Sequence, residues 1–169
     1  MNRNVLVATA VLGLGVLVPA TATASSPSRE TVTDFRVMAP VTEPFTGAAN
    51  PINEVPGGGL PWQIEDANGE LDGAGRIEVK VEGLVLARHA PVPPDRQGVN
   101  PIPAFKAIVS CRTVTDGAAA TANVSTATAP ATPTGNARIE DRIALPTPCF
   151  APVIFVTSPE GSWFATTGR

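Results

Sequence analysis

Proline and glycine punctuate this chain so densely that they settle its fold class before any periodicity is considered: 18 prolines and 15 glycines stand among 169 residues. Proline lacks the backbone donor a helix needs, and glycine in a helix interior costs about 1 kcal/mol relative to alanine. Long helices are therefore improbable, and no segment carries a convincing 3.6-residue period. What lies between the breaks alternates. In Arg76 to Val81, Ile77, Val79 and Val81 share one face and Glu78, Lys80 and Glu82 the other, after a turn at Asp72-Gly73-Ala74-Gly75. That is a hairpin with one wet face. Phe105, Ala107, Val109 and Cys111 align within Ala104 to Arg112, and Ala137 to Leu145 sets Ile139, Asp141, Ile143 and Leu145 against Arg138, Glu140 and Arg142. Ala151 to Thr157 is apolar on both faces, which predicts a central strand, and Ser158-Pro159-Glu160-Gly161 turns it into a strand over Ser162 to Thr167. Asp34 to Val41 and Leu60 to Ile64 are further strands, and 116–135 reads as turn, edge strand and turn. Gly83 interrupts the alternation before Leu84-Val85-Leu86, as a bulge or a crossing between sheet edges requires. The expected fold is all-β: a single antiparallel β-sandwich, or barrel-like, domain of about seven or eight strands with one disulfide.

The first 24 residues predict a removable signal peptide. Arg3 supplies the positive start, Val5 to Val18 is apolar without a break, and Ala22-Thr23-Ala24 fits the small-residue cleavage pattern. The apolar run falls short of the ~20 residues that span a bilayer. Residues 25–32 read as a flexible N-terminal lead-in and 33–169 as the domain, so the expected protein is secreted and has no membrane span after cleavage. In that oxidising compartment Cys111 and Cys149, an even pair without CxxC spacing, are expected to form one structural disulfide, stabilising the fold by about 4 kcal/mol on a loop-closure estimate.

Twelve basic and fifteen acidic residues give a net charge of −3, and loss of the signal peptide removes one base more. The basic footprint of a nucleic-acid binder is absent. Chemistry is sparse as well. His89 is the one histidine, no serine stands in a nucleophile elbow, and one histidine with two bonded cysteines cannot supply a zinc site. No metal and no cofactor is expected. Asp66, Asn68, Glu70 and Asp72 recur at alternate positions like the opening of a calcium loop, but the glycine and glutamate such a loop needs are replaced by Leu71 and Ile77. A solvated acidic hairpin with Asn68-Gly69 and Asp72-Gly73 as turn or bulge residues is the preferred reading, a weak calcium site the alternative. Asp141 is the carboxylate placed inward, with the expected role of accepting hydrogen bonds at a strand end. A carboxylate hydrolase would need a second acid beside it, for which Glu54 is the candidate.

The blocks GGGLPWQIEDANGEL, GRIEVKVEGLVL, NPIPAFKAIVSC, GNARIEDRIALPTPC and APVIFVTSPEGSWFATTG together resemble an uncharacterised family of small secreted actinomycete proteins, over roughly Asp34 to Gly168. The resemblance implies export, a two-cysteine bridge and a single domain, and no mechanism. A weaker likeness to the extracellular CHRD domain lies in Asn53-Glu54-Val55-Pro56, Gly83-Leu84 and His89; that domain usually carries two histidines one residue apart where this chain has Arg88-His89-Ala90.

The expected function is that of a non-enzymatic extracellular module that binds or has a structural role at the cell exterior, its partner an extracellular or cell-envelope component of unknown identity. The alternative is a secreted carboxylate-dependent hydrolase. Binding is expected to use the loops at 47–59 and 88–103. The second has five prolines in RHAPVPPDRQGVNPIP, so a partner would find much of its conformational entropy already lost. Arg88, His89, Val92, Asp95 and Arg96 are its candidate binding residues, with Val92, Val99 and Ile102 as apolar tips.

Overall fold

A computed structural model of the chain describes residues 30–168. The expected signal peptide and residues 25–29 of the lead-in lie outside them. Twelve strands follow one another: β1 (Thr31–Phe35), β2 (Met38–Pro40), β3 (Trp62–Gln63), β4 (Asp66–Asp72), β5 (Arg76–Glu82), β6 (Val85–Leu86), β7 (Ala104–Thr115), β8 (Ala118–Ser125), β9 (Ala129–Pro130), β10 (Ala137–Arg142), β11 (Phe150–Thr157) and β12 (Trp163–Thr167). The one helical segment among the described residues is a 3-10 turn at Pro94–Arg96. The fold is all-β, as alternation and punctuation predict, with twelve strands rather than seven or eight. The excess includes β2, split from β1, and β6 and β9, each of two or three residues and too short to show a period, and β4, expected as an acidic hairpin.

Two antiparallel sheets make the body. One has the order β1-β4-β5-β10, the other β2-β12-β11-β7-β8 with β9 also paired to β7; β3 and β6 form a small third sheet. β1 begins at Thr31, so the ordered strand takes in two residues expected in the lead-in. The single strand expected over Asp34 to Val41 is instead split between β1 and β2, which belong to different sheets. Asn68 and Gly69, expected at a turn or bulge, sit mid-strand in β4. Gly69 faces Phe35, whose ring would be 2.6 Å from an added Cβ. The Gly83 interruption is a crossing: β5 belongs to the four-stranded sheet, while β6 pairs with β3. Its φ of +64° is a left-handed conformation that glycine adopts without penalty.

The four-stranded sheet is wet on one face. Ile77, Val79, Val81, Leu71 and Ile139 are buried, while Arg138 bridges Glu78 and Glu140, and Lys80 pairs with Glu82, on the other side. The central part of the six-stranded sheet is buried on both. Phe105, Ala107, Val109 and Cys111 share the face expected for them and are fully buried, and the opposite face carries Ile108, Ser110, Val153, Phe155 and Thr157, also buried. Cys111 is bonded to Cys149 (S–S 2.04 Å, Cα–Cα 5.0 Å), tying β7 to the residue before β11.

The cover for that second face is the glycine-rich loop. Segment 56–58 runs beside β12, with Trp163 N–H donating to the Pro56 carbonyl (2.9 Å) and Gly58 N–H to the Trp163 carbonyl (2.8 Å). At the opposite edge of the sheet, the Asn123 amide of β8 donates to the Asn53 carbonyl at 2.9 Å. A loop held at both edges must cross the strands between them. Its tip is a tight turn: Ile52 and Val55 exchange both backbone hydrogen bonds, and Asn53 and Glu54 have φ of +48° and +69°, the pattern of a type I′ hairpin turn. Residues 42–59 thus form a strap over the sheet, burying Val55, Gly57 and Gly58.

Candidate functional site

The strap ends at Gly59-Leu60, and there it meets the proline-rich loop. Gly59, Leu60, Trp62, Leu86, Arg96, Pro101, Ile102 and Phe164 line one groove of about 300 Å³. Its floor is aromatic: Trp62 stacks on Phe164 with ring centroids 4.0 Å apart, and Phe105 meets both edge-on at 6.4 and 5.8 Å. Such packing holds the floor rigid. Gly58 is required for it, since an added Cβ would be 2.9 Å from the Phe164 ring.

The wall formed by 88–103 is pinned rather than loose. Leu86 N–H donates to the Val99 carbonyl and Gly98 N–H to the Leu86 carbonyl. Asn100 is buried; its side-chain amide donates to the carbonyls of Ile102 (2.8 Å) and Thr132 (2.9 Å) and its oxygen accepts the Ile102 N–H (2.9 Å). All three side-chain contacts tie the loop to its own return and to the 130s turn. Asn100 was missed by sequence reasoning because a lone Asn between valine and proline carries no pattern.

Of the candidate binding residues, Arg88, His89, Asp95 and Arg96 are exposed, and Arg96 alone of the five lines the groove. Val92 is not a contact tip. It is 2 % exposed, with its carbonyl accepting the Gln97 amide at 3.0 Å, because the hydrophobic core gives its apolar side chain a place out of water. Val99 is 43 % exposed, and Ile102 is half-buried in the groove wall. Arg88 lies over Gly98, where a Cβ would be 2.8 Å from its guanidinium carbon. His89 Nδ1 faces the Ala90 carbonyl at 2.7 Å. Among the described residues Arg96 has no ion-pair partner, so the groove combines apolar walls with an uncompensated positive charge.

The remaining candidates serve structure. Asp141 Oδ2 accepts the Ala127 N–H at 2.7 Å and Oδ1 the Arg142 N–H at 2.7 Å. These two bonds, Ala127 first, hold its carboxyl below the usual aspartate range, the opposite of what a general acid needs. Glu54 sits at the strap tip beside Asn53. Asp66, Asn68, Glu70 and Asp72 lie along an extended strand, with the Asn68 amide donating to Asp66 Oδ2 at 3.2 Å. Asp72 Oδ1 instead accepts the N–H groups of Ala74 and Arg76, both at 2.9 Å, closing the hairpin turn. Among the described residues no group of three or more His, Cys, Asp or Glu is placed to hold a metal ion, and no helix is long and apolar enough to cross a membrane. No family model, curated protein or solved structure significantly matches this chain.

Proposed function

We propose that this protein is a secreted, non-enzymatic β-sandwich module that docks an extracellular or envelope partner in the groove between the strap end and the proline-rich loop. The observation that carries the reading is convergence: Gly59-Leu60 from one loop and Arg96, Pro101 and Ile102 from the other line a single apolar groove. Loops displayed on a rigid scaffold are where recognition residues concentrate. Here the aromatic floor and the Asn100 anchor make the site pre-formed, which lowers the entropic cost of docking. The Cys111–Cys149 bridge fits an oxidising compartment.

A photo-crosslinking residue at Ile102 of the purified protein, exposed to envelope fractions, tests this. A discrete adduct should form there, weaken with Arg96→Glu, and be absent when the crosslinker replaces Glu140 on the wet face of the four-stranded sheet. Equal labelling at both positions, or an adduct indifferent to Arg96→Glu, would remove the groove as the docking site.

A further inference from the structure

At the far end of the strap, away from the groove, the six-stranded sheet runs out from under its cover. Val32, Thr33, Asn53, Arg112, Ala151, Pro152, Val153 and Gly168 line a cavity of about 430 Å³. Val32, Ala151, Pro152 and Val153 give it an aliphatic side. A bulge between Phe150 and Val153, with Ala151 at φ +45°, lifts β11 off its partner and opens the space. Arg112 is exposed, and its one hydrogen-bond partner among the described residues is the Thr121 hydroxyl, 3.0 Å from Nη1. Among the described residues no carboxylate pairs with it and no acid lines the cavity. By contrast, the pocket beside β1 carries Asp34, Glu70 and Glu78 against a single Arg36.

The surroundings extend the apolar character. Phe150 is the cross-strand neighbour of Arg112 and is 59 % exposed, and Val114, on the same face two residues along β7, is 49 % exposed. Under the wall, Ser110 is the cross-strand partner of Val153, and its hydroxyl is buried without a hydrogen-bond partner. An unpartnered buried hydroxyl is uncommon in a satisfied core, and this one abuts the cavity wall.

We infer that this cavity is a second binding site, taking a small aliphatic monocarboxylate whose carboxylate pairs with Arg112 and whose chain lies against Val32, Pro152 and Val153. A guanidinium matches a carboxylate with two parallel hydrogen bonds, and one guanidinium satisfies one such group. At about 30 Å³ per water-sized group of liquid, the cavity takes roughly a dozen heavy atoms, which is the size of decanoate. The site is independent of the docking groove, with which it shares no residue.

Titration of the purified protein with decanoate, followed by amide NMR, should give saturable shifts at Val32, Ala151 and Val153 and none at Leu60 or Ile102. Decanol should bind at least tenfold more weakly, and Arg112→Met should weaken decanoate by at least tenfold. Val32→Asp, which sets a carboxylate at the mouth, should abolish binding and covers the case in which Arg112→Met fails to fold. Absence of saturable shifts, equal binding of decanol, shifts confined to the groove, or unchanged affinity in a folded variant would overturn the assignment.

Discussion

The two long loops look alike in sequence, both rich in Pro and Gly and both lying between strands, yet they do opposite work. Residues 42–59 cross a sheet and act as part of the core: Val55, Gly57 and Gly58 are buried, and Trp163 is bonded through both its N–H and its carbonyl. Residues 88–103 stay at the surface, anchored by Val92 and Asn100, and present the 3-10 turn with Asp95 and Arg96 to solvent. Loop composition therefore does not say whether a loop displays residues or buries them. What decides is whether a neighbouring sheet face needs covering. The four-stranded sheet keeps a charged outer face and needs none, whereas the six-stranded sheet exposes Phe155 and Trp163 on its outer face unless the strap lies over them.

That contrast is broken most severely at the strap. An added Cβ at Gly57 would sit 1.9 Å from the Phe45 carbonyl oxygen, so Gly57→Ala should destabilise the fold by about 3 kcal/mol, measured by denaturant unfolding; a variant as stable as the parent would mean the strap is an ornament. Next in size is the anchor of the second loop. Asn100→Ala takes from Ile102 the partners of both its carbonyl and its N–H and from the Thr132 carbonyl one of its two donors, and should cost about 2.5 kcal/mol. Val92→Ala removes two buried methyl groups, about 2 kcal/mol with the cavity term, and a value near zero would restore Val92 to the surface. Arg96→Gln, by contrast, should change stability by less than about 0.5 kcal/mol while weakening partner capture, which separates display from support in one loop.

The smallest effect is a pH dependence at the edge of the four-stranded sheet. Asp141 has its folded pKa lowered by the Ala127 and Arg142 N–H groups, so the stability it contributes is present above the unfolded value, ~3.9, and is lost as pH falls through the lower folded value. Asp141→Ala should therefore be less stable than the parent at pH 7, with the gap closing below about pH 4. A gap that stays constant through that range would show that the hydrogen bonds do not depend on the charge.

Much of this architecture is legible in local pattern. The alternation of Arg76 to Glu82 places Ile77, Val79 and Val81 inward because a strand's side chains have a period of two whatever their surroundings, and the doubly apolar 151–157 run is the middle strand, between β12 and β7. Pattern also groups Phe105, Ala107, Val109 and Cys111 correctly. It fails where burial comes from elsewhere in the chain. Ser110, on the strand face opposite Cys111, carries no local sign of burial and is fully buried, because the strap supplies its cover from some fifty residues away. Arg112 gave no signal either, since one arginine on the polar face of a strand looks like any solvated charge until the β11 bulge opens a cavity beside it.

The amino-acid order by itself determined the class of the fold, the inward faces of β5, β7 and β10, the pairing of its two cysteines and the turns at Asp72 to Gly75 and Ser158 to Gly161. These follow from dihedral preference, side-chain period and the chemistry of proline and glycine, all of which act over a few residues. The tertiary structure alone decided that β1 and β2 part into different sheets, that one glycine-rich loop becomes a cover while a proline-rich loop remains a wall, and that Arg96 and Arg112 each stand beside a partly apolar hollow with no ion-pair partner among the described residues. Those outcomes depend on which surfaces meet, and the free energy that selects them, the removal of apolar area from water, is a property of the assembled sheets that no short segment carries.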